Sequence, residues 1–370
     1  MIIKKVDKFL NVISQSSYWD IKTTIITFLL IQLVSFPSYD LDYKNWSDQY
    51  EKSLSIFSNL EYASGYSHKA KINVRITVPI IIKLFGLSPM GLILFKNITG
   101  IIFIFLILKL FFLIVKEKNL SILLTLSCAF IGFGKASTID PSQIFDGLSL
   151  TLVLFSFLFR NPYISVLCLL FGFFNDERTI IAAFLFTLYY FQFNNHSNNK
   201  YGNRYPLIAL LSFILFVIGR VYMQYVLEMN APIGGVGFKT FFNQINSIGM
   251  SYFMFLEGFW IIIIYAFYLV WNNNIKKPLF ILIIISSLVG SLSSFLVFDH
   301  SRSLYYSYPI IFFGISYLRP LISYEKLKNL ILATLILSIL IPTVGFGGKN
   351  TFWSHYSLPT QIIRMITNKY

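Results

Sequence analysis

Four of the chain's sixteen acidic residues fall within twelve positions. They lie in Ser38-Tyr39-Asp40-Leu41-Asp42-Tyr43 and in the following Trp46-Ser47-Asp48-Gln49-Tyr50-Glu51. Two carboxylates one residue apart in a loop can share a divalent cation, and a single one can act as general base toward a hydroxyl. Asp42, Asp40 and Asp48 are therefore the catalytic candidates. The alternative is an acidic loop that is simply solvated.

A second group is Asn175-Asp176-Glu177-Arg178-Thr179, set between Phe173-Phe174 and the apolar run Ile180 to Phe186. Charges this close to hydrocarbon are costly unless they are paired or face a polar cavity. The planar fork of Arg178 can grip a ligand phosphate, or it can be half of a structural ion pair. Asp299-His300-Ser301-Arg302 poses the same choice ahead of Tyr305-Tyr306-Ser307-Tyr308-Pro309, which also fits an aromatic belt at a membrane interface. Asp140-Pro141 reads as turn residues and Asp146-Gly147 as a helix cap. Lys96, Arg220 and Glu257 lie within apolar runs. They are either functional groups at membrane depth or residues near span ends whose side chains reach for the interface.

Other chemistries find no support. His68, His196, His300 and His355 occur singly, without the spacing of a zinc site, so no protein-built metal centre is expected. Cys128 and Cys168 lie in apolar runs and read as small packed hydrophobes. No GxGxxG, Walker loop, GxSxG or CxxC occurs. The net charge of +14 does not indicate nucleic acid, because the basic residues are scattered at the ends of apolar runs and in loops.

The elements that must position these groups are apolar. Of 370 residues, 56% are hydrophobic and 12% charged, and the mean hydropathy is +0.67. Runs of roughly 15 to 22 apolar residues, among them Ile98 to Val115 and Tyr252 to Trp271, have the length a bilayer span requires. The breaks between runs alternate between plainly basic ones (Lys116 to Lys118, Lys200 to Arg204, Lys326 to Lys328) and those carrying carboxylates. With a cytoplasmic N-terminus, this alternation predicts an all-α polytopic bundle of about eleven spans with its acidic loops outside.

The approximate spans are 22–37, 89–115, 120–134, 147–159, 162–175, 179–193, 206–227, 251–271, 278–298, 304–320 and 329–346. The whole of 1–370 reads as one integral membrane domain. Residues 1–21 form a cytoplasmic amphipathic segment, 38–88 the first outer loop and 347–370 an outer tail. Within that outer loop, Arg75 to Gly86 has an apolar core too short to span, so it reads as an interfacial or re-entrant helix. Gly234-Gly235-Val236-Gly237 fits either a flexible lid or a turn-rich connection.

This order resembles the GT-C superfamily of membrane glycosyltransferases, in its bacterial-type members. The similarity runs from an early acidic loop with Asp40-Leu41-Asp42, through Asp48 and Tyr50, to Arg75, Pro79 and a short apolar helix. Asp146-Gly147-Leu148-Ser149-Leu150, Asn175 to Thr179 and Asp299 to Arg302 with Tyr308-Pro309 continue it. The chain departs from the family pattern in the Glu177-Arg178 order and in having only about 25 residues after the last expected span.

The resemblance implies transfer of a sugar from a polyprenyl-phosphate donor to a glycan, lipid or protein acceptor at the outer face of a bacterial inner membrane. Asp42 or Asp40 would be the base, with Asp48 ranked third. Arg75, Arg178 and Arg302 would face the phosphate, and Glu177 and Asp299 would line the same site. A divalent cation is an option rather than a need, since arginine and lysine can neutralise a monophosphate. A polysaccharide polymerase or ligase, a lipid-linked-sugar flippase and a non-catalytic membrane subunit are the alternatives.

Overall fold

The computed structural model describes residues 2–35, 44–59, 72–139, 144–159, 161–193, 204–229, 237–273, 277–294, 296, 300–341, 343–347, 350–355 and 366–367. It is built of helices, with one small hairpin near the C-terminal end. The amphipathic start forms α1 (Ile2–Ser14), which buries Leu10 and Ile13 and leaves Phe9 and Val12 exposed. Then come α2 (Trp19–Ser35) and the polar α3 (Lys44–Leu54).

The short apolar segment before Gly86 is a helix, α4 (Thr77–Phe85), as the sequence predicts. It stops at Gly86, which adopts the left-handed conformation at φ 58° and closes the last turn with an N–H bond to the Ile82 carbonyl. The next helix, α5 (Pro89–Val115), starts with Pro89 in its first turn and with the Ser88 hydroxyl accepting from the Gly91 N–H.

Helices α6 (Lys118–Phe130) and α7 (Gly132–Thr138) meet at Ile131 with a bend of 82°. α8 (Ile144–Leu158), α9 (Pro162–Asn175), α10 (Thr179–Phe193) and α11 (Tyr205–Tyr225) follow. After α12 (Phe238–Gln244) and a 3-10 turn, α13 (Ile248–Leu256) and α14 (Phe259–Asn273) are separated by a second sharp break of 91°. That break falls at Glu257, whose φ of 46° and ψ of −120° end the helix inside the apolar run 251–271. α15 (Lys277–Ser294), the five-residue α16 (His300–Leu304), α17 (Ile310–Leu318) and α18 (Tyr324–Leu340) complete the helices.

The expected final span ends six residues early, at Leu340 rather than 346. Thr343–Gly347 (β1) then pairs antiparallel with Asn350–His355 (β2), bringing Val344 opposite Trp353 and Phe346 opposite Thr351. β-Branched and aromatic residues favour such a pleated pair over a helix.

Among the described residues two helices, α5 and α11, are long and apolar enough to cross a membrane, and up to four spans result if each bent pair counts as one. α8, α9 and α10 are shorter apolar helices. The core is aromatic and aliphatic. Phe186 stacks on Phe312 at 5.9 Å, and Phe111 and Phe133 pack within the same cluster. Cys128 and Cys168 are free thiols, as their setting in apolar runs led us to expect.

Candidate functional site

α8 and α9 pack along each other, α5 and α7 lie against α8, and α4 packs on α9. Thr77 at the start of α4 donates to the Phe171 carbonyl near the end of α9, at 2.7 Å. On the far side of α8, a Cβ on Gly147 would stand 2.9 Å from the Ser137 Cα, so only glycine allows α7 this close. The neighbouring residue, Asp146, lies in the first turn of α8 and is completely buried. The loop joining α9 to α10 carries Asp176, Glu177 and Arg178 over the same helix ends. α16 brings Arg302 and Ser303 there.

These side chains form one network. The Asp146 Oδ1 accepts from Arg178 Nη2 at 2.8 Å and from the Tyr306 hydroxyl at 3.0 Å, while its Oδ2 accepts from Arg302 Nε at 2.6 Å. Arg178 also grips Asp176 in a fork, through Nε at 2.8 Å and Nη2 at 2.6 Å, and donates from Nη1 to Ser303 at 2.9 Å. Its guanidinium lies over the Tyr306 ring at 5.1 Å. Arg75 Nη2 reaches both Asp176 and Glu177 at 3.1 Å. Among the described residues, three guanidinium groups thus face three carboxylates.

The balance of charge explains why the network tolerates burial. Burial alone would raise the Asp176 carboxyl, but Arg178 and Arg75 outweigh it and hold it well below the usual carboxylate range. At the rim, Arg75 outweighs the partial loss of solvent around Glu177 and lowers its carboxyl as well. In the opposite sense, burial disfavours the Arg178 charge, yet Asp176 and Asp146 hold the guanidinium firmly protonated. Two of the three carboxylates are sealed while the cations line the open edge: the Asp146 and Asp176 side chains are 0% exposed, those of Arg75 and Arg178 14% and that of Arg302 21%. Glu177, with 45% of its side chain exposed, marks the rim.

Of the residues singled out from sequence, Arg75, Glu177, Arg178 and Arg302 are brought together here. Asp48 is buried on α3, which packs against α4, and the bonds of the network are made by other residues. Asp40, Asp42 and Asp299 lie outside the described residues. On α3, burial lowers the Lys52 ammonium to about 8, and its Nζ donates to the Ser58 carbonyl.

Three readings change. Asp146 is not a cap: both its oxygens are taken by side chains from the α9–α10 loop, from α16 and from the turn after it. A carboxylate heading an apolar run beside a glycine was the signal that it needed partners within the protein. Tyr305, Tyr306 and Tyr308 do not form an interfacial belt, being 4%, 0% and 0% exposed. Lys96 and Glu257 do not reach out to an interface either, at 2% and 1% exposed.

No protein-family model matches the chain, and neither does any curated protein or solved structure.

Proposed function

We propose that the chain is a multispanning membrane glycosyltransferase with about eleven spans, moving a sugar from a polyprenyl-phosphate donor to a glycan, lipid or protein acceptor at the outer membrane face. The observation that carries this reading is the Asp146–Arg178–Arg302 network. In it the sealed Asp146 and Asp176 fix cations along one open edge, at the ends of apolar helices and beside the short helix α4. A fixed cationic edge favours a phosphate that gains charge as the glycosidic bond breaks, because the groups are already oriented. A base among Asp42, Asp40 and Asp48 would take the acceptor's proton, and Arg75, Arg178 and Arg302 would face the departing phosphate. In a membrane with the N-terminus cytoplasmic, all these groups share the outer side.

The test is to incubate the purified protein with a panel of polyprenyl-phosphate sugars and acceptor glycans and to detect released polyprenyl phosphate. Release that needs both protein and acceptor is expected. No release with any donor in a well-folded sample removes the proposal.

A second reading, a lipid-linked-sugar flippase, is favoured by Lys135 and Glu257. Both are buried beside the two helix breaks, and their charges interact. Charged groups inside the bundle suit a head group in transit. Transfer of a labelled lipid-linked sugar between leaflets of proteoliposomes, with no bond cleaved, would select it.

A further inference from the structure

The charge count of the site does not end at three against three. Gly219 of α11 lies so close to the Phe174 ring that a Cβ there would stand 2.6 Å from the Phe174 Cζ. That contact draws α11 onto the end of α9, immediately before Asp176. Phe216 adds to it, packing edge-on against Phe174 at 5.1 Å between ring centres. One turn further along, Met223 joins Met229, Val74 and Ile76 in a small apolar cluster that flanks Arg75.

The residue after Gly219 is Arg220. It is partly buried, and its guanidinium lies 5.8 Å from the Phe216 ring centre. The charges of Glu177 and Arg75 both act on it. Among the described residues no carboxylate lies within ion-pair distance of Arg220. A fourth cation thus stands at the rim beside Glu177, and among the described residues each carboxylate of the network is already held by Arg75, Arg178 or Arg302.

The other side of α11 is apolar. Leu210, Phe213, Ile214, Val217, Ile218 and Val221 are all exposed along it. Arg220 lies five residues before the end of α11, about 7 to 8 Å along the helix axis at the usual rise. Tyr222 and Tyr225, both exposed, stand at that end, where aromatic side chains favour the headgroup level. A guanidinium with no ion-pair partner among the described residues, set between an exposed apolar face and a cationic edge, is complementary to one kind of molecule, an anion attached to a hydrocarbon tail.

We propose that Arg220 is the contact at which a phosphate-bearing lipid headgroup of net negative charge meets this protein from the bilayer side of α11, with its tail along the exposed face. The inference rests on the membrane reading of the chain and is independent of glycosyl transfer. A lipid can bind here whether or not a sugar is moved.

The experiment titrates the full-length protein in neutral detergent with phosphatidylglycerol, phosphatidylcholine or inorganic phosphate and follows its unfolding temperature, since a ligand that binds only the folded state raises it. Phosphatidylglycerol should stabilise the wild type, whereas phosphatidylcholine and inorganic phosphate at equal concentration should not. Arg220→Gln should weaken the apparent affinity for phosphatidylglycerol at least about tenfold, a change expected for loss of a charge-assisted contact. Arg220→Lys should keep most of it, because a single ammonium still meets a phosphate. It also supplies a reading if the glutamine variant folds poorly.

Lys326, exposed on α18, is the control for general surface charge, and Lys326→Gln should leave the affinity unchanged. Equal binding by wild type and Arg220→Gln, or equal loss in Lys326→Gln, overturns the proposal. Equal stabilisation by inorganic phosphate overturns the lipid assignment. Failure of sugar release with intact phosphatidylglycerol binding would remove the glycosyltransferase reading and leave this one standing.

Discussion

Arg302 and Asp146 are 156 positions apart in sequence and meet at 2.6 Å, the Arg302 Nε donating to the fully buried Asp146 Oδ2. The same carboxylate takes Arg178 on its other oxygen, so a single residue ties α8 to the α9–α10 loop and to α16. Coulomb attraction is strong at this depth because little water is present to screen it. The desolvation cost is equally large, and it is offset only while every member keeps its partner.

Asp146→Asn should therefore destabilise the protein sharply. The amide keeps the shape but leaves two guanidinium groups short of one counter-charge, and breaking a buried pair in this way costs about 3 to 5 kcal/mol. Thermal unfolding in detergent would measure it. Combining the change with Arg302→Gln should cost less than the sum of the two single changes, since they share a partner. Additive losses would show that the pair is not coupled.

Arg178→Lys tests the planar fork. Arg178 uses Nε, Nη1 and Nη2 on Asp176, Ser303 and Asp146, and one ammonium cannot reach all three in that geometry. The expected result is a clear fall in unfolding temperature, since each hydrogen bond lost to a charged group costs about 1.5 to 3 kcal/mol. Weaker binding of a lipid-phosphate donor with the unfolding temperature unchanged would instead assign the fork to the ligand.

The network should also set an acid limit. The Asp176 carboxyl is held below its unfolded value by Arg178 and Arg75, so the folded state binds fewer protons than the unfolded one at low pH. Its contribution is fully present above the unfolded carboxylate value of about 4, and is lost as pH falls from there toward the depressed folded value. Wild-type stability should decline through that acid window, and Asp176→Asn should flatten the decline while lowering stability at pH 7. A variant with an unchanged acid profile would mean that other carboxylates govern the limit.

What sequence could show followed from local chemistry. The short helix before Gly86 was legible because glycine and Pro89 punctuate it, and the start of α5 at Pro89 needed nothing more distant. The Asp176-Glu177-Arg178 loop stood out as charge placed against hydrocarbon. Asp146 was missed because its partners come from Arg178 and Arg302, and no local pattern pairs positions 32 and 156 residues apart. The break at Glu257 was missed for a different reason: Glu257 and Gly258 do interrupt the run from 251 to 271, but an ionisable residue within an apolar run reads as a functional group or an interfacial side chain before it reads as a helix end.

The remaining prediction concerns the base, and it does not depend on the arginine network. In the sugar transfer proposed above the acceptor must lose a proton as it attacks, and a carboxylate close in sequence to the end of the first expected span would take it. Asp42 and Asp40 are nearest that end. Asp48 follows on α3 and is buried at 2% exposure. Changing aspartate to asparagine keeps size and hydrogen bonding but removes basicity, which costs on the order of 100- to 10,000-fold in rate. Asp42→Asn or Asp40→Asn should therefore abolish sugar transfer while donor binding and unfolding temperature hold. In the wild type, the rate should fall at low pH as the base is protonated. The residual activity of the variant should lose that acidic limb. Near wild-type rates in both single variants would pass the role to Asp48, and Asp48→Asn would then have to show the same loss of rate and of the acidic limb in a folded protein.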